Sequence, residues 1–145
     1  MNIIIDNVIN FHNEQITFEH KQPIIIKKWL QSVAKQEGRS ISSLSFIFCS
    51  DDYLHQINVE YLNHDTLTDV ITFQYSESES DPIEGDIFIS IDRIQENANQ
   101  FETTFDKELH RVMIHGTLHL LGYGDKSSEA KTLMTEKENF YLQQL

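Results

Sequence analysis

Two histidines stand four positions apart at His115 and His119, in a stretch whose apolar residues predict a helix. At roughly 100° and 1.5 Å per residue, side chains four apart lie one turn apart on the same helix face. This is the spacing by which one helix presents two imidazoles to a single metal ion. The spacing alone is weak evidence, because most such pairs are surface side chains or hydrogen-bonded interior ones.

The residues after His119 could supply a third ligand for the same ion. Gly122 and Gly124 follow closely, and glycine ends helices in left-handed conformations and permits sharp turns. The chain can therefore leave the helix at Gly122 and fold back, which brings Asp125 towards the imidazoles. Two histidines and one carboxylate form a zinc site whose fourth position stays open for water. Asp125 could instead cap the helix that follows, and its carboxylate has enough oxygens for both roles.

Gly116 argues against one class of zinc enzyme. Helical metalloproteases place a glutamate directly after the first histidine, where it acts as the general base. Position 116 is glycine in this chain, so the base of that mechanism is missing. A hydrolase of another substrate, including peptides, stays open, but the common protease mechanism is disfavoured.

The elements that must position this site follow from apolar spacing and capping residues. Short apolar runs predict strands at residues 3–5, 44–49, 70–73 and 87–91. Five helices are predicted: one from Pro23 to near Gly38, one capped by Ser50, one opened by Asp92, one opened by Thr103 or Thr104, and one capped by Ser127. The side chains expected to face the core are Ile26, Trp29, Leu30, Val33, Leu54, Ile57, Tyr61, Ile94, Ala98, Phe101, Leu109, Val112, Met113, Gly116, Leu120, Ala130, Leu133, Met134 and Tyr141.

The order of these elements predicts an α/β (α+β) fold. We expect a single domain spanning residues 1–145, with about four strands in a mainly parallel mixed sheet packed with about five helices. Strands joined through helices favour parallel pairing. The two strands that flank the polar segment from Ser76 to Pro82 could instead form a hairpin.

Composition limits what this domain can bind. The formal net charge of −12 argues on its own against a nucleic-acid partner, since phosphate contacts need local positive charge. The apolar runs are too short to span a membrane, and no signal peptide is recognisable. The single cysteine, Cys49, lies in an apolar run and predicts a buried thiol in a reducing compartment. The cytoplasm is therefore the expected location.

The site residues are part of a longer resemblance to the YbeY family. The family signature His-Gly-x-Leu-His-Leu-x-Gly-Tyr-Asp-His is matched at His115, Gly116, Leu118, His119, Leu120, Gly122 and Tyr123. A second block is matched at Ile57, Asn58, Tyr61, Asp65, Thr68, Asp69, Val70 and Phe73, and the family's Gly-Asp-Ile-x-Ile-Ser strand at Gly85, Asp86, Ile87, Ile89 and Ser90. These stretches span residues 57 to about 125, and the chain is identified as a member of the family.

The resemblance implies a function, a cofactor and a partner. YbeY proteins are bacterial metal-dependent endoribonucleases of ribosomal RNA maturation. We therefore expect a single-strand-specific, zinc-dependent endoribonuclease in 16S ribosomal RNA 3′-end maturation and ribosome quality control. The expected cofactor is a zinc ion held by His115, His119 and Asp125, with manganese or another divalent ion as an alternative. The expected partners are ribosomal RNA and the small ribosomal subunit, with no membrane.

Three departures from the family pattern bear on this function. The family's third ligand is usually histidine; Asp125 lowers the net charge of the loaded site and favours harder ions such as manganese. An arginine that the family uses near its active site is Leu62 here. His64, at a lysine position, could partly substitute when protonated or could be a surface loop residue. The third departure is the acidic net charge.

No residue is an obvious general base. His64, Asp69 and Asp86 are candidates because they lie in the matched blocks, although both aspartates could simply cap turns or brace loops. Arg111, one turn before the first histidine, could contact a phosphate, or it could pair with Glu108 at i, i+3.

A second function stays open. Leu62 and the net charge are also compatible with a ribosome-associated assembly factor that has structural zinc and weak or no nuclease activity. The count of three protein ligands disfavours this alternative, because purely structural zinc usually has four.

Overall fold

The computed structural model describes residues 8–64 and 68–145, and in these ranges it contains four strands and five helices. In chain order the elements are β1 (Ile9–Glu14), α1 (Pro23–Gln36), β2 (Ile41–Cys49), α2 (Asp51–Leu62), β3 (Val70–Gln74), β4 (Ile83–Ser90), α3 (Ile91–Gln100), α4 (Phe105–Leu120) and α5 (Ser128–Leu142). The strands form one sheet with the order β1-β2-β4-β3.

Strand directions confirm the predicted α/β fold with a mainly parallel mixed sheet. β1, β2 and β4 run parallel, whereas β3 runs antiparallel to β4. The connection between β3 and β4 is the polar segment, so these two strands form the hairpin that this segment allowed. A short polar connection permits only antiparallel neighbours, because a parallel pair needs a long crossover.

The sequence analysis did not predict the first strand that the structure describes. The predicted strand at residues 3–5 lies outside the described residues. β1 occupies Ile9–Glu14, pairs with β2 in parallel and forms one edge of the sheet. Only Ile9 in this strand is buried, and the last three residues are exposed. Apolar spacing does not detect such a strand, because an edge strand has few side chains in the core.

Most helix starts follow the capping residues that the sequence indicates. Ser50, Thr104 and Ser127 cap α2, α4 and α5, and each side chain accepts a hydrogen bond from the backbone N–H three residues on. α3 begins before Asp92, because the Ser90 hydroxyl at the end of β4 already serves as its cap. The predicted start of α3 is therefore corrected by one residue to Ile91.

The sheet separates two apolar clusters. Leu44, Phe46 and Phe48 of β2 face the large cluster, which also contains residues of α1, α4 and α5. Cys49 faces a smaller cluster formed with α2 and β3. The Cys49 side chain is fully buried, as predicted, and burial together with the nearby carboxylate of Asp51 raises its pKa to about 12.

Three side chains that were expected in the core lie at the surface. Tyr61 is 69% exposed, Phe101 61% and Leu133 45%. Phe101 follows the last residue of α3 as its C-cap, so it extends beyond the packed part of the helix. Leu133 lies beside the buried face of α5, which is formed by Met134, Glu138 and Tyr141. Tyr61 lies edge-on to a β3 ring at the periphery.

Gly116 allows α4 to pack closely against the sheet. A Cβ at this position would lie 3.0 Å from Cγ2 of Ile87 in β4 and 3.4 Å from Cγ2 of Thr72 in β3. α4 therefore crosses β3 and β4 at a distance that a larger residue would increase, and it carries the two histidines over this part of the sheet. None of the described helices is both long and apolar enough to cross a membrane.

Candidate metal centre

The C-terminal end of α4 places the third donor next to the two histidines. Gly122 has φ +109°, and the amides of Gly122 and Tyr123 donate to the carbonyls of His119 and Leu118, each at 3.0 Å. This is the Schellman pattern, in which a left-handed residue ends the helix and reverses the chain. The turn expected at Gly122 is present, and it directs Asp125 back towards α4.

The three donor atoms converge on one point. His115 Nε2 and His119 Nε2 are 3.1 Å apart. Asp125 Oδ2 lies 3.3 Å from His119 Nε2 and 3.7 Å from His115 Nε2. Among the described residues, these three form the group of acidic, histidine and cysteine side chains that could hold a metal ion.

These separations fit a tetrahedral ion. Zinc binds histidine nitrogen and carboxylate oxygen at about 2.0–2.2 Å, so its ligand atoms lie about 3.3–3.6 Å from one another. The observed spread of 3.1 to 3.7 Å covers this range. The three side chains are between 25% and 42% exposed, which leaves a side open for a fourth ligand.

Glu138 of α5 contacts His115 at Nδ1, the ring nitrogen that is not directed towards the other two donors. Its Oε2 lies 2.6 Å from Nδ1 of His115, and its side chain is only 8% exposed. Burial lowers the pKa of His115, but the hydrogen bond to Glu138 and the charges of Glu138, Asp125 and Asp69 outweigh it, so the pKa lies above its ordinary value. The same negative surroundings favour a metal cation at the Nε2 atoms.

Sequence reasoning missed Glu138, although a signal for it exists. Met134, Glu138 and Tyr141 are the buried residues of α5, and their spacing of four and three is that of an inward helix face. A glutamate on such a face needs a buried partner, because an unpaired charge in the core is costly.

Further candidates from the matched blocks line a cavity beside the three donors. A cavity of about 450 Å³ opens beside the three donors, within the range of roughly 300–1,000 Å³ that is common for ligand clefts. It is lined by Asn58, Leu62, His64, Thr68, Asp69, Val70, Ile71, Thr72, His115, His119 and Asp125. Asp65 of the second block lies outside the described residues.

Two of the candidate general bases, His64 and Asp69, lie in this cavity. His64 follows the left-handed Asn63 that ends α2. Asp69 is partly buried, and desolvation raises its pKa against the opposing effects of backbone hydrogen bonds and of the charges on His115 and Arg93. A carboxylate with a raised pKa is suited to accept a proton near neutral pH.

Asp86 lies away from the donors. It accepts a hydrogen bond from the Tyr75 hydroxyl at 2.9 Å and lines a depression with His12 and Tyr53. Since neighbouring strand residues point to opposite faces and Ile87 faces Gly116 of α4, Asp86 faces the other side of the sheet. Its observed role is to hold Tyr75.

Arg111 forms a different ion pair from the expected one, and its contact with a phosphate stays a prediction. Its Nη1 donates to Glu138 Oε1 at 2.9 Å and its Nη2 to Asn139 Oδ1 at 2.8 Å. The expected ion pair with Glu108 is therefore wrong. Arg111 pairs with Glu138 instead, and its guanidinium connects α4 to α5. It lines a smaller cavity of about 260 Å³ behind His115, not the cavity in front of the donors.

Comparisons with known proteins agree with this geometry. The profile of a family described as "Endoribonuclease YbeY" matches residues 8–145. This chain belongs to the YbeY family. Among its relatives, the endoribonuclease YbeY of Amoebophilus asiaticus is 48% identical over 134 residues, covering 92% of this chain and 90% of that protein. The endoribonuclease YbeY of Flavobacterium psychrophilum is 50% identical over 127 residues, covering 88% and 89%.

A solved structure shares the YbeY fold seen here. The solution structure of a protein from Thermotoga maritima superposes with a TM-score of 0.69 at 31% identity, covering 93% of this chain and 87% of that one. YbeY membership makes this chain one of a family of hydrolases that act on RNA, and the His-His-Asp cluster could bind the metal that such a nuclease requires.

Proposed function

We propose that this protein is a single-strand-specific, zinc-dependent endoribonuclease that takes part in 16S ribosomal RNA 3′-end maturation and ribosome quality control in the cytoplasm. The observation that carries the proposal is the convergence of His115, His119 and Asp125 at the wall of an open cavity. His115, His119 and Asp125 would hold a divalent ion, and such an ion would supply Lewis-acid chemistry: polarisation of a phosphoryl oxygen and acidification of a water molecule. Manganese is the alternative metal.

The residues around the cavity divide the remaining tasks. The Asp69 carboxylate, which lines the cavity and whose pKa is raised by desolvation, is the candidate that accepts a proton from the attacking group. His64 lies in the wall where a phosphate of the substrate would enter. Leu62 forms an uncharged part of this wall, so the substrate is held there without the arginine of the family pattern.

A cleavage assay tests this function. Purified protein is incubated with a labelled single-stranded 16S ribosomal RNA 3′ fragment and with its duplex, with and without a chelator, followed by zinc or manganese. We expect cleavage of the single strand that the chelator stops, that zinc restores, and that His115→Ala loses. Cleavage that persists in His115→Ala would indicate a contaminating nuclease and remove the support for catalysis.

The uncharged wall at Leu62 favours the second candidate, an assembly factor with weak or no cleavage. Binding to small ribosomal subunits without cleavage of any fragment would support that function. In Leu62→Arg, one added phosphate contact should tighten RNA binding and steepen the salt dependence by about 0.7 in slope. Cleavage separates the two candidates: it rises with the tighter binding in an endoribonuclease and stays absent in an assembly factor. Val59→Arg is the matched control: Val59 lies on α2, is 41% exposed and is not among the residues lining the cavity.

A further inference from the structure

Glu138 is a buried acid in the middle of an apolar helix face. The side chain lies between Met134 and Tyr141 on α5 and is 8% exposed. Removing a carboxylate from water is costly unless partners replace the lost hydration. Its partners therefore show what the residue does in this position.

Both carboxylate oxygens of Glu138 have a specific partner. Oε2 is 2.6 Å from Nδ1 of His115, and Oε1 accepts from Arg111 Nη1 at 2.9 Å. Arg111 is itself held by Asn139 one residue further along α5. The carboxylate thus has one oxygen for the histidine and one for the arginine, and its orientation is fixed.

This contact decides which nitrogen of His115 faces the cavity with a lone pair. A carboxylate oxygen accepts hydrogen bonds, so a neutral His115 ring that donates to Glu138 carries its one proton on Nδ1. The Nε2 atom, 3.1 Å from Nε2 of His119, is then unprotonated and free to donate its electron pair. A metal-bound histidine needs this tautomer and a fixed ring plane.

We propose that Glu138 is a positioning residue for the metal centre, which orients His115 and fixes its tautomer, and that Arg111 holds Glu138 in place. The inference rests on the metal centre of the proposed function. Arg111 then supports the ligand His115 indirectly, by holding the Glu138 carboxylate. A contact that only connected α4 to α5 would stabilise the fold without changing how tightly the donors bind an ion.

Zinc affinity separates these two roles. The dissociation constant for zinc is measured by competition with a chromophoric chelator at one fixed pH, for wild type and for Glu138→Gln. A glutamine offers only one accepting oxygen for two donors, and substitution of a residue that hydrogen-bonds a metal ligand typically weakens metal binding about 10–100-fold. We expect a loss in this range, together with an altered visible spectrum of the cobalt-substituted protein. Unchanged zinc affinity in a folded Glu138→Gln would overturn the proposal.

Glu108→Gln is the matched control. Glu108 lies on α4, is 7% exposed and lines the same small cavity as Glu138, but its described contacts do not include His115. The substitution removes the same charge at the same depth without touching the ligand. We expect at most a few-fold change in zinc affinity. An equal loss in both variants would assign the effect to general charge and contradict a specific role for Glu138.

Histidine NMR tests the inference without any variant. In ¹⁵N-labelled wild-type protein without metal, at a pH high enough for the His115 ring to be neutral, we expect its single ring proton on Nδ1. A neutral ring that carries its proton on Nε2 would overturn the proposal. This measurement also keeps the two hypotheses apart. If wild type binds no zinc while His115 carries its proton on Nδ1, the proposed metal centre fails but the orientation by Glu138 stands.

Discussion

Asp125 is the donor that gives this centre its particular charge. Its carboxylate lies within 3.3 and 3.7 Å of the two imidazole nitrogens. Asp125 does not cap α5. Ser127 is the cap, and its hydroxyl accepts a hydrogen bond from the backbone amide of Ala130. The Asp125 carboxylate is therefore available to an ion, to which it would offer a hard oxygen where the family signature has a histidine nitrogen.

Asp125→His is expected to shift metal preference towards zinc. Replacing oxygen with imidazole favours zinc over manganese, because affinity for nitrogen ligands rises along the divalent series. We expect the zinc-to-manganese affinity ratio to rise by about tenfold, or about 1.4 kcal/mol. The ratio is measured by elemental analysis after competitive dialysis. Asp125→Asn removes the charge without adding an imidazole and is the control; an equal ratio in wild type and Asp125→His contradicts the prediction.

The end of α4 is the element that converts a helix into a three-donor site. The helix alone places the two histidines side by side. Asp125 comes close to them only because the chain reverses at Gly122, where φ is +109°. Gly124, two residues on, lies in open space, and a Cβ there would meet nothing within 4 Å. The two neighbouring glycines thus have different roles, and only the first is required by backbone conformation.

Gly122→Ala is expected to weaken both the fold and metal binding. A left-handed conformation costs a residue with a Cβ about 1–2 kcal/mol, so the free energy of unfolding should fall by about this amount in a urea titration. Zinc affinity should fall with it, since the reversal positions Asp125. Gly124→Ala is the paired control and should change the free energy of unfolding by less than about 0.5 kcal/mol. Equal losses in the two variants would contradict the assigned role of the turn.

At the scale of the whole molecule, Glu37 connects the site to distant parts of the fold. It caps α1, and its Oε1 accepts from the Tyr123 hydroxyl at 2.7 Å, in the turn that leads to Asp125. Its Oε2 accepts from Tyr141 of α5 and pairs with Lys137 at 3.2 Å. One carboxylate therefore joins α1, α5 and the turn after α4.

This network predicts a pH-dependent stability. Burial raises the pKa of Glu37, but the hydrogen bonds from Tyr141, Tyr123 and Lys137 outweigh it, so the pKa lies below its ordinary value of 4.5. A carboxyl with a lowered folded-state pKa stabilises the fold fully above the unfolded value and loses this contribution as pH falls through the folded value.

Urea unfolding of Glu37→Gln across a pH series measures the contribution. At about pH 7 the variant should be less stable than wild type by about 1–3 kcal/mol, the usual worth of hydrogen bonds to a charged group. The difference should narrow as the pH falls below 4.5. A difference that is constant across this range would show that the ionisation of Glu37 is not responsible.

The sequence by itself determined the local parts of this protein. These parts depend on residues only a few positions apart in the chain. They are the spacing of His115 and His119, the helix end at Gly122, the helix caps at Ser50 and Ser127, and the strand segments. Helix periodicity, backbone preference and side-chain capping act over such distances, so these features were predictable. The function was predicted from the resemblance of three sequence blocks to the YbeY family. Residues of two of these blocks, although distant in sequence, line one cavity.

Only the tertiary structure decided which distant residues meet. Glu138 reaches His115 from 23 positions away, Arg111 pairs with Glu138, and Asp86 faces the opposite side of the sheet from the donors. The polar edge strand β1 depends on its pairing with β2. These outcomes follow from packing between α4, α5 and the sheet, which no local pattern contains, because the free energy of such contacts arises only once the elements are assembled.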